Sequence, residues 1–188
     1  MADSDADWRT TKKAATRARI RAAALELFEA AGFDATTVEQ IANAAGVTHT
    51  TFFRYFPTKE DVALSDDYDP LIVELIRARP RAETDAQKIR AAFVGGLDAI
   101  DSEFRSGLLA QMQLVIATPA LRARLWQQQA QTLQLVVHAL GHDTFETRSV
   151  ASALIAAAST AILTWAEGGG TQSLPRLTDR AFAAVAAG

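Results

Sequence analysis

The residues best suited to chemistry form a short polar run, Thr48-His49-Thr50-Thr51, which begins two positions after Gly46. Its hydroxyls and imidazole can donate and accept hydrogen bonds, and threonine methyl groups can contact the methyl of thymine. No serine elbow, acid pair or cofactor-binding loop accompanies the run. It therefore indicates recognition of base edges or phosphates in the major groove of DNA, and not catalysis.

Two short helices joined by a tight turn are predicted to present this run. The candidate caps and breakers are, in chain order, Thr36 or Thr37, Gly46, Thr48, Pro57 and Thr58. Glu39 or Gln40 offers the capping-box partner of the first helix. Phe52 and Phe56 lie four residues apart and are expected to pack inward, which would fix the second helix against its neighbours. The stretch 36–61 thus predicts a helix-turn-helix.

A longer helix is predicted over 11–31, where apolar residues recur at helical spacing up to Gly32. Positive charge is concentrated here: residues 8–59 hold eight Lys/Arg and four Asp/Glu, although the net charge of the chain is -3. We expect Lys12, Lys13 and Arg17 to reach a phosphate or the minor groove. The alternative is that they belong to a frayed, solvated tail.

The block from residue 17 to 62 resembles the N-terminal domain of the TetR family of transcriptional regulators, on the sequence ALELFEAAGFDATTVEQIANAAGVTHTTFFRYFPTKEDV. The resemblance implies a three-helix DNA-binding domain joined to a helical domain for ligand binding and dimerisation. By position, it makes Thr37 a phosphate contact, Thr48 to Thr51 the base-reading turn, and Tyr55 and Lys59 phosphate clamps.

Two positions depart from the family pattern. Phe53 stands where a tyrosine is common, so a hydroxyl that would contact phosphate is missing. Thr50 stands where a glycine is frequent, which adds a side chain that can contact a base or alters how closely the helix approaches DNA. The strings FFRYFPTKEDVALSDDYDPLI and ATPALRAR (117–124) resemble the subgroup of regulators associated with mycofactocin gene clusters.

The fold class predicted for the whole chain is all-α. Helices are expected over 58–66, 70–78, 83–101, 104–117, 119–140, 145–167 and 174–187. The predicted domains are a flexible tail (1–8), a TetR-type helix-turn-helix domain (9–60) and a helical ligand-binding and dimerisation domain (61–188). The run 150–166 is short for a membrane span and fits a buried helix better, so the expected location is the cytoplasm.

Large apolar and a few polar side chains of the later helices are candidates for the wall of an apolar ligand pocket. They are Tyr68, Phe93, Leu97, Phe104, Leu108, Met112, Trp126, Gln129, Leu133 and Trp165. Residues of these types at helical spacing also form ordinary cores, and both interpretations stay open. Small side chains in 145–167, together with 174–187, predict a four-helix interface between two copies of the chain, which the resemblance also implies.

The sequence thus predicts a ligand-responsive repressor that binds a palindromic double-stranded operator as a homodimer. Its effector would be small and apolar: a long-chain acyl group, acyl-CoA or another lipid-like molecule, or an apolar drug or metabolite. The alternative is a helical small-molecule carrier or interaction protein without an operator. No cofactor is expected; the chain has no cysteine, and Gly141 separates His138 from His142, which disfavours a metal site on one helix face.

Overall fold

The structure is a computed structural model that describes residues 2–65 and 68–187, with side chains from Lys12 onward in those ranges. The described residues form ten helices and no strand, which confirms the all-α prediction. The chain divides into two compact units, 1–65 and 66–188. The division falls after Ser65 and not after residue 60, because the short helix over 59–63 packs against the first helix.

The first unit contains four helices: α1 (Ala2–Ala31), α2 (Val38–Ala44), α3 (His49–Tyr55) and α4 (Lys59–Ala63). Helix α1 begins at Ala2, where the sequence predicted a tail over 1–8 and a helix from residue 11. The apolar stripe of α1 starts only at Ile20, so periodicity carries no signal for the turns that precede it.

Threonine caps fix the start of each short helix in this unit. Thr37 and Gln40 form the capping box of α2, while Thr48 and Thr58 cap α3 and α4. Such a cap stabilises a helix by about 0.5–2 kcal/mol, which matters for helices of two turns or fewer. Thr36 has another role, since its buried hydroxyl donates to the carbonyl oxygen of Gly32 at 2.8 Å.

The core of the first unit lies where α1, α2 and α3 meet. Its largest fully buried side chains are Ile20, Ile41, Phe52 and Phe56. The inward packing predicted for Phe52 and Phe56 is therefore confirmed, and it fixes which faces of α3 remain on the surface.

The second unit contains six helices: α5 (Tyr68–Arg77), α6 (Asp85–Ala99), α7 (Ser102–Ala117), α8 (Pro119–Leu140), α9 (Phe145–Glu167) and α10 (Leu174–Ala187). The last three agree with the predicted bounds at both ends. Helix α9 is central, because it packs against α6, α7, α8 and α10. Its buried face consists largely of alanines, which let these neighbours approach closely.

Helix α9 is also the one helix of the described residues that is long and apolar enough to cross a bilayer by length and composition alone. A core helix passes the same test, and α9 contributes Ala151, Leu154 and Ile155 to the hydrophobic core of its unit. The expectation of a buried helix over 150–166 agrees with this position.

A close contact joins α5 to α6 at the beginning of the second unit. The hydroxyl of Tyr68 donates to the carbonyl oxygen of Phe93 at 2.9 Å. A Cβ atom on Gly96 would lie only 2.6 Å from that hydroxyl oxygen, so the glycine makes room for the tyrosine. Gly96 thus permits the close packing of α5 against α6.

Candidate DNA-binding surface

Helix α3 presents three different faces. Phe52 and Phe56 point into the core, Thr48, Thr51 and Tyr55 face a surface groove, and His49 and Thr50 are exposed to solvent. This division follows from the helical repeat of 3.6 residues, since positions 48, 51 and 55 share one side and positions 52 and 56 another. The polar run predicted from the sequence is therefore spread over two surfaces.

The groove lies between α1 and the segment formed by the turn and α3. It has a volume of about 790 Å³ and is open to solvent. It is lined by Lys12, Lys13, Thr16, Arg19, Gly46, Val47, Thr48, Thr51, Arg54 and Tyr55. Four of these side chains are cationic, and no carboxylate is among these described lining residues. We call this surface the cationic groove; its charge suits the phosphates of a nucleic acid backbone.

Lys12 and Lys13 line the groove from within α1. They are not part of an extended arm that precedes the helix, because the helical backbone already begins at Ala2. The helix places them on the groove side of the unit beside Thr16 and Arg19, at spacings close to one and two turns. Their position is compatible with a phosphate contact, while the geometry of a flexible arm in the minor groove does not apply.

Arg17 has a structural role that the sequence did not reveal. Its guanidinium carbon lies 4.4 Å from the centroid of the Phe56 ring, and Nη1 donates to the carbonyl oxygen of Tyr55 at 3.3 Å. The side chain thereby fastens α1 to the C-terminal end of α3. A cation over an aromatic ring lowers the energy of the folded unit. The expected phosphate contact of Arg17 stays a prediction beside this intramolecular role.

Lys59 likewise makes intramolecular contacts, and its predicted role as a phosphate clamp stays a prediction. Its Nζ donates to the carbonyl oxygens of Phe33 at 2.7 Å and Thr36 at 2.9 Å. Both acceptors lie in the loop after α1, whose carbonyl groups have no partner within that helix. No local pattern indicates this contact, because the acceptors are more than twenty positions away.

Thr48 and Thr51 are bound to each other at the start of α3. The backbone N–H of Thr51 donates to the Thr48 hydroxyl oxygen at 3.1 Å, and that hydroxyl donates to Oγ1 of Thr51 at 2.9 Å. The hydrogen bonds of Thr48 are therefore used by the helix cap, while the proton of the Thr51 hydroxyl stays available to the groove. His49 and Thr50 are left as the exposed polar side chains of the first turn.

Phe53 and His49 contact each other on the exposed face of α3. Their ring centroids are 4.8 Å apart with an interplanar angle of 69°. Phe53 is 41% exposed, although it has no polar atom on its side chain. Thr37, at the start of α2, is also exposed; its oxygen accepts from the backbone N–H of Gln40, which leaves the hydroxyl proton to donate to a phosphate.

The ligand-pocket candidates of the second unit fall into different environments. Trp126, Gln129 and Leu133 line an open cavity of about 210 Å³ between α8 and α9. Trp165 is buried, and its Nε1 donates to the carbonyl oxygen of Gln172 at 3.1 Å, so it belongs to the core and its polar atom is satisfied.

The other candidates are core or half-buried residues. Phe93, Leu97 and Met112 are buried, whereas Tyr68, Phe104 and Leu108 are half-buried. Tyr68 and Phe104 also contact each other, with ring centroids 6.4 Å apart.

Of the two histidines near Gly141, His142 contacts a carboxylate. Nε2 of His142 lies 2.9 Å from Oδ2 of Asp85, which also accepts a hydrogen bond from the Thr147 hydroxyl at 3.0 Å. This contact fastens the start of α6 to the segment between α8 and α9. Among the side chains of 12–65 and 68–187, no group of three or more His, Asp or Glu is placed to hold a metal ion.

Comparison with known proteins gives two matching family profiles. Residues 20–65 match "Bacterial regulatory proteins, tetR family", and residues 84–188 match "MftR C-terminal domain". Among curated relatives, the HTH-type transcriptional regulator TcmR of Streptomyces glaucescens is 38% identical over 125 residues, covering 61% of this chain and 54% of TcmR. The chain thus spans about half the length of the curated relatives it matches.

Solved structures have the same fold. FadR of Thermus thermophilus, a TetR family transcriptional repressor in complex with lauroyl-CoA, aligns with a TM-score of 0.59 and 25% identity. That alignment covers 90% of this chain and 93% of FadR. NalD of Pseudomonas aeruginosa, the secondary repressor of a multidrug efflux pump, aligns with a TM-score of 0.57 and 20% identity over 94% of this chain and 97% of NalD. The second likeness concerns the fold alone.

Proposed function

Because the chain belongs to the TetR family of bacterial regulatory proteins and carries an MftR-type C-terminal domain, we propose that it is a ligand-responsive repressor of transcription. The first unit binds a palindromic operator as part of a homodimer, and an apolar effector bound by the second unit releases it. The observation that carries this proposal is the cationic groove beside the exposed first turn of α3.

The geometry supports separate surfaces for contacts to phosphates and contacts to bases. Lys12, Lys13, Arg19 and Arg54 neutralise backbone phosphates, which supplies affinity but no sequence information. The exposed face of α3 enters the major groove and supplies the contacts to base edges. Net negative charge of the chain does not oppose this, because the field that DNA meets is that of the groove.

A binding experiment with the DNA upstream of the protein's own gene tests the proposal. The purified full chain is titrated into a fluorescent duplex of that region and into an unrelated duplex of equal length. We expect at least about a thousandfold tighter binding to the upstream DNA, the usual lower margin for specific sites. Equal affinity for the two duplexes would favour the alternative, a helical carrier or interaction protein without an operator.

Dimerisation through α9 (145–167) and α10 (174–187) is part of the proposal. The outward face of α9 carries mostly small residues, and that of α10 continues with alanines toward its end; among them are Ser149, Ala153, Ala156, Thr160, Ala183, Ala184 and Ala187. Small side chains let helices from two copies approach closely. A two-fold dimer would then present two copies of α3 to half-sites one or more DNA turns apart, about 34 Å per turn.

For the effector we propose a long-chain acyl compound. The support is that the aligned FadR structure contains lauroyl-CoA, together with the apolar interior of the second unit. Native mass spectrometry of the purified protein reports the dimer and any ligand that co-purifies with it. Titration of the protein–DNA complex with lauroyl-CoA, lauric acid and free coenzyme A then separates acyl-chain from nucleotide recognition.

Release by the effector requires unequal affinity for two conformations. The effector must bind the DNA-incompetent form more tightly than the DNA-bound form, by about 5.5 kcal/mol to reverse a 99:1 population. If lauroyl-CoA binds tightly and leaves operator affinity unchanged, it is not the effector. The site of action is the cytoplasm in this proposal, since that is where the DNA of a bacterial cell lies.

A further inference from the structure

Four aromatic side chains, three from α3 and one from its C-cap Phe56, form a continuous ladder of ring contacts from the core of the first unit to its surface. The ring centroids are 6.1 Å apart from Phe56 to Phe52, 5.3 Å from Phe52 to Phe53, and 4.8 Å from Phe53 to His49. At the inner end, the Arg17 guanidinium lies over the Phe56 ring. The exposed imidazole is therefore connected to the core through three rings in succession.

Exposure rises along this ladder. Phe52 and Phe56 are buried, Phe53 is 41% exposed, and His49 is exposed. Each edge-to-face contact adds attraction between the rings beyond the burial of their surfaces, which favours one rotamer of the outer residue. The Phe53–His49 contact is edge-on, and so is the Phe52–Phe53 contact, at 82°. The imidazole is thus held in one orientation before any ligand arrives.

Pre-orientation of this kind has a use in recognition. A surface side chain that is already ordered loses less conformational entropy when it binds. An imidazole has two ring nitrogens that can donate or accept hydrogen bonds. In the major groove, both purines offer the N7 acceptor, and guanine adds O6. The hydrogen-bonding groups of the His49 imidazole therefore match the major-groove edge of a purine.

We propose that His49 specifies one purine in each operator half-site, and that Phe53 is the residue that positions it. This inference rests on the proposed function, and it deepens it by naming which side chain reads sequence. The other polar residues of the turn are less suited: Thr48 is committed to the cap of α3, and Thr51 faces the cationic groove. Thr50 is exposed but has no ring contact to hold it.

The absence of a hydroxyl on Phe53 fits this role. A tyrosine at this position could bond a phosphate, whereas phenylalanine has only its ring to offer. That ring contacts the buried Phe52 on one side and the imidazole on the other. An exposed Phe53 ring forgoes the stabilisation that its burial would give the free protein. The orientation of His49 is a function that accounts for this exposed position.

Selection from a duplex library with a random core tests the inference without a known operator. The full chain is used as wild type and as His49→Ala, Phe53→Ala, Phe53→Tyr and Arg81→Gln, and the enriched sequences are compared. For His49→Ala we expect the preference at one base pair per half-site to fall about tenfold, with the rest of the motif unchanged. Phe53→Ala weakens the preference at the same base pair, and Phe53→Tyr keeps it because the ring remains. Arg81→Gln, an exposed change in the second unit, is the control and leaves the preference intact.

The outcomes distinguish the role of His49 from the proposed function as a whole. A wild-type motif that His49→Ala leaves unchanged overturns the inference and leaves the proposed function standing. A Phe53→Ala variant that loses affinity for all sequences equally, with the purine preference intact, overturns the positioning role. If the wild type enriches no motif, sequence-specific binding itself is refuted. Circular dichroism of each variant verifies that the exposed substitutions leave the fold in place.

Discussion

The ammonium group of Lys59 lies 4.1 Å from the centroid of the Phe33 ring and also donates to the carbonyl oxygen of that residue at 2.7 Å. Its second bond, to the Thr36 carbonyl oxygen, closes the loop between α1 and α2 onto the first residue of α4. Hydrogen bonds to a charged group contribute about 1.5–3 kcal/mol. A residue with the position of a phosphate clamp is therefore part of the scaffold.

Replacing this lysine tests the scaffold role. For Lys59→Met we expect a loss of about 1–3 kcal/mol in the local stability of the first unit, since two carbonyl groups lose a charged partner. Hydrogen exchange of the amides in residues 33–63 would then be about 5- to 150-fold faster. The slope of log K against log salt for DNA binding is measured as well. If Lys59→Met lowers that slope by the value of about one phosphate contact and leaves hydrogen exchange unchanged, Lys59 binds a phosphate and is not part of the scaffold.

For a lysine of the cationic groove we expect the opposite result, a change in DNA binding without a change in stability. Lys13→Gln removes a charge from its wall without breaking a described hydrogen bond or ion pair. We expect the slope of log K against log salt to fall by about 0.9, the value for one phosphate that is no longer neutralised, with hydrogen exchange unchanged. Arg81→Gln in the second unit removes the same charge from an exposed position and serves as control. Equal slopes for wild type and Lys13→Gln would show that this side chain does not reach a phosphate.

Sequence patterns predict local features such as helix ends and caps, but not the distant contacts that distinguish Lys59 from Lys13. The bounds of α8, α9 and α10 were predictable because Pro119, Gly141 and the run 168–170 mark their ends, and such signals are local. The caps Thr48 and Thr58 were predictable for the same reason. The partner of Lys59 was not, because it is fixed by the way a distant loop folds back onto α4.

The ligand-binding half shows a second limit. Trp126 and Trp165 both occur at helical spacing among apolar residues, yet one is 67% exposed beside a cavity and the other is 1% exposed in the core. Periodicity predicts that a residue faces a neighbouring helix, but not whether space remains there. Only the packing of α7, α8 and α9 decides between a pocket wall and a filled core.

The contact between Tyr68 and Gly96 gives a prediction about stability. In Gly96→Ala, the new methyl group would lie 2.6 Å from the tyrosine oxygen and 3.1 Å from Cδ1 of Leu75. Overpacking of this kind costs about 1–3 kcal/mol, which corresponds to a fall of about 2–12 °C in the melting temperature of a chain of this size.

A matched control lies one residue away. At Gly95 an added methyl group meets nothing within 4 Å, and the residue lies on the exposed side of the same helix. Gly95→Ala should therefore raise stability by about 0.5–1 kcal/mol through helix propensity. Adding Tyr68→Phe to Gly96→Ala removes the clashing oxygen and should restore part of the loss. Equal melting temperatures for the two alanine variants would contradict the close contact.

Acid should weaken the attachment of α10 to α6. The hydrogen bond from Nε of Arg90, at 2.6 Å, holds the pKa of the Asp179 carboxyl below its ordinary value, and the charge of Arg90 adds to this. A depressed folded-state pKa contributes stability above the unfolded value of about 4, and this is lost as the pH falls through the lower folded value.

The variant Asp179→Asn isolates that contribution. We expect it to melt below the wild type at pH 7, and the difference to disappear as the pH falls below about 4. Asp98→Asn, an exposed change on the same helix as Arg90, is the control and should follow the wild type throughout. A difference that persists unchanged at low pH would mean that the asparagine acts by another route than the ion pair.

A substitution on the outward face of α9 tests whether operator binding depends on dimerisation. Thr160 is exposed there, and its hydroxyl bonds only the carbonyl oxygen of Ala156 among the described contacts, so Thr160→Arg leaves the folded unit intact. Two arginines near a two-fold axis would repel each other and prevent close helix approach. We expect a monomer by light scattering and a loss of operator affinity of at least about a hundredfold, because one half-site retains only part of the contacts.

Gln131→Arg, on the exposed side of α8, adds the same charge elsewhere and should stay dimeric. A Thr160→Arg dimer with full affinity would place the interface on another surface, since an arginine cannot be accommodated between closely packed helices.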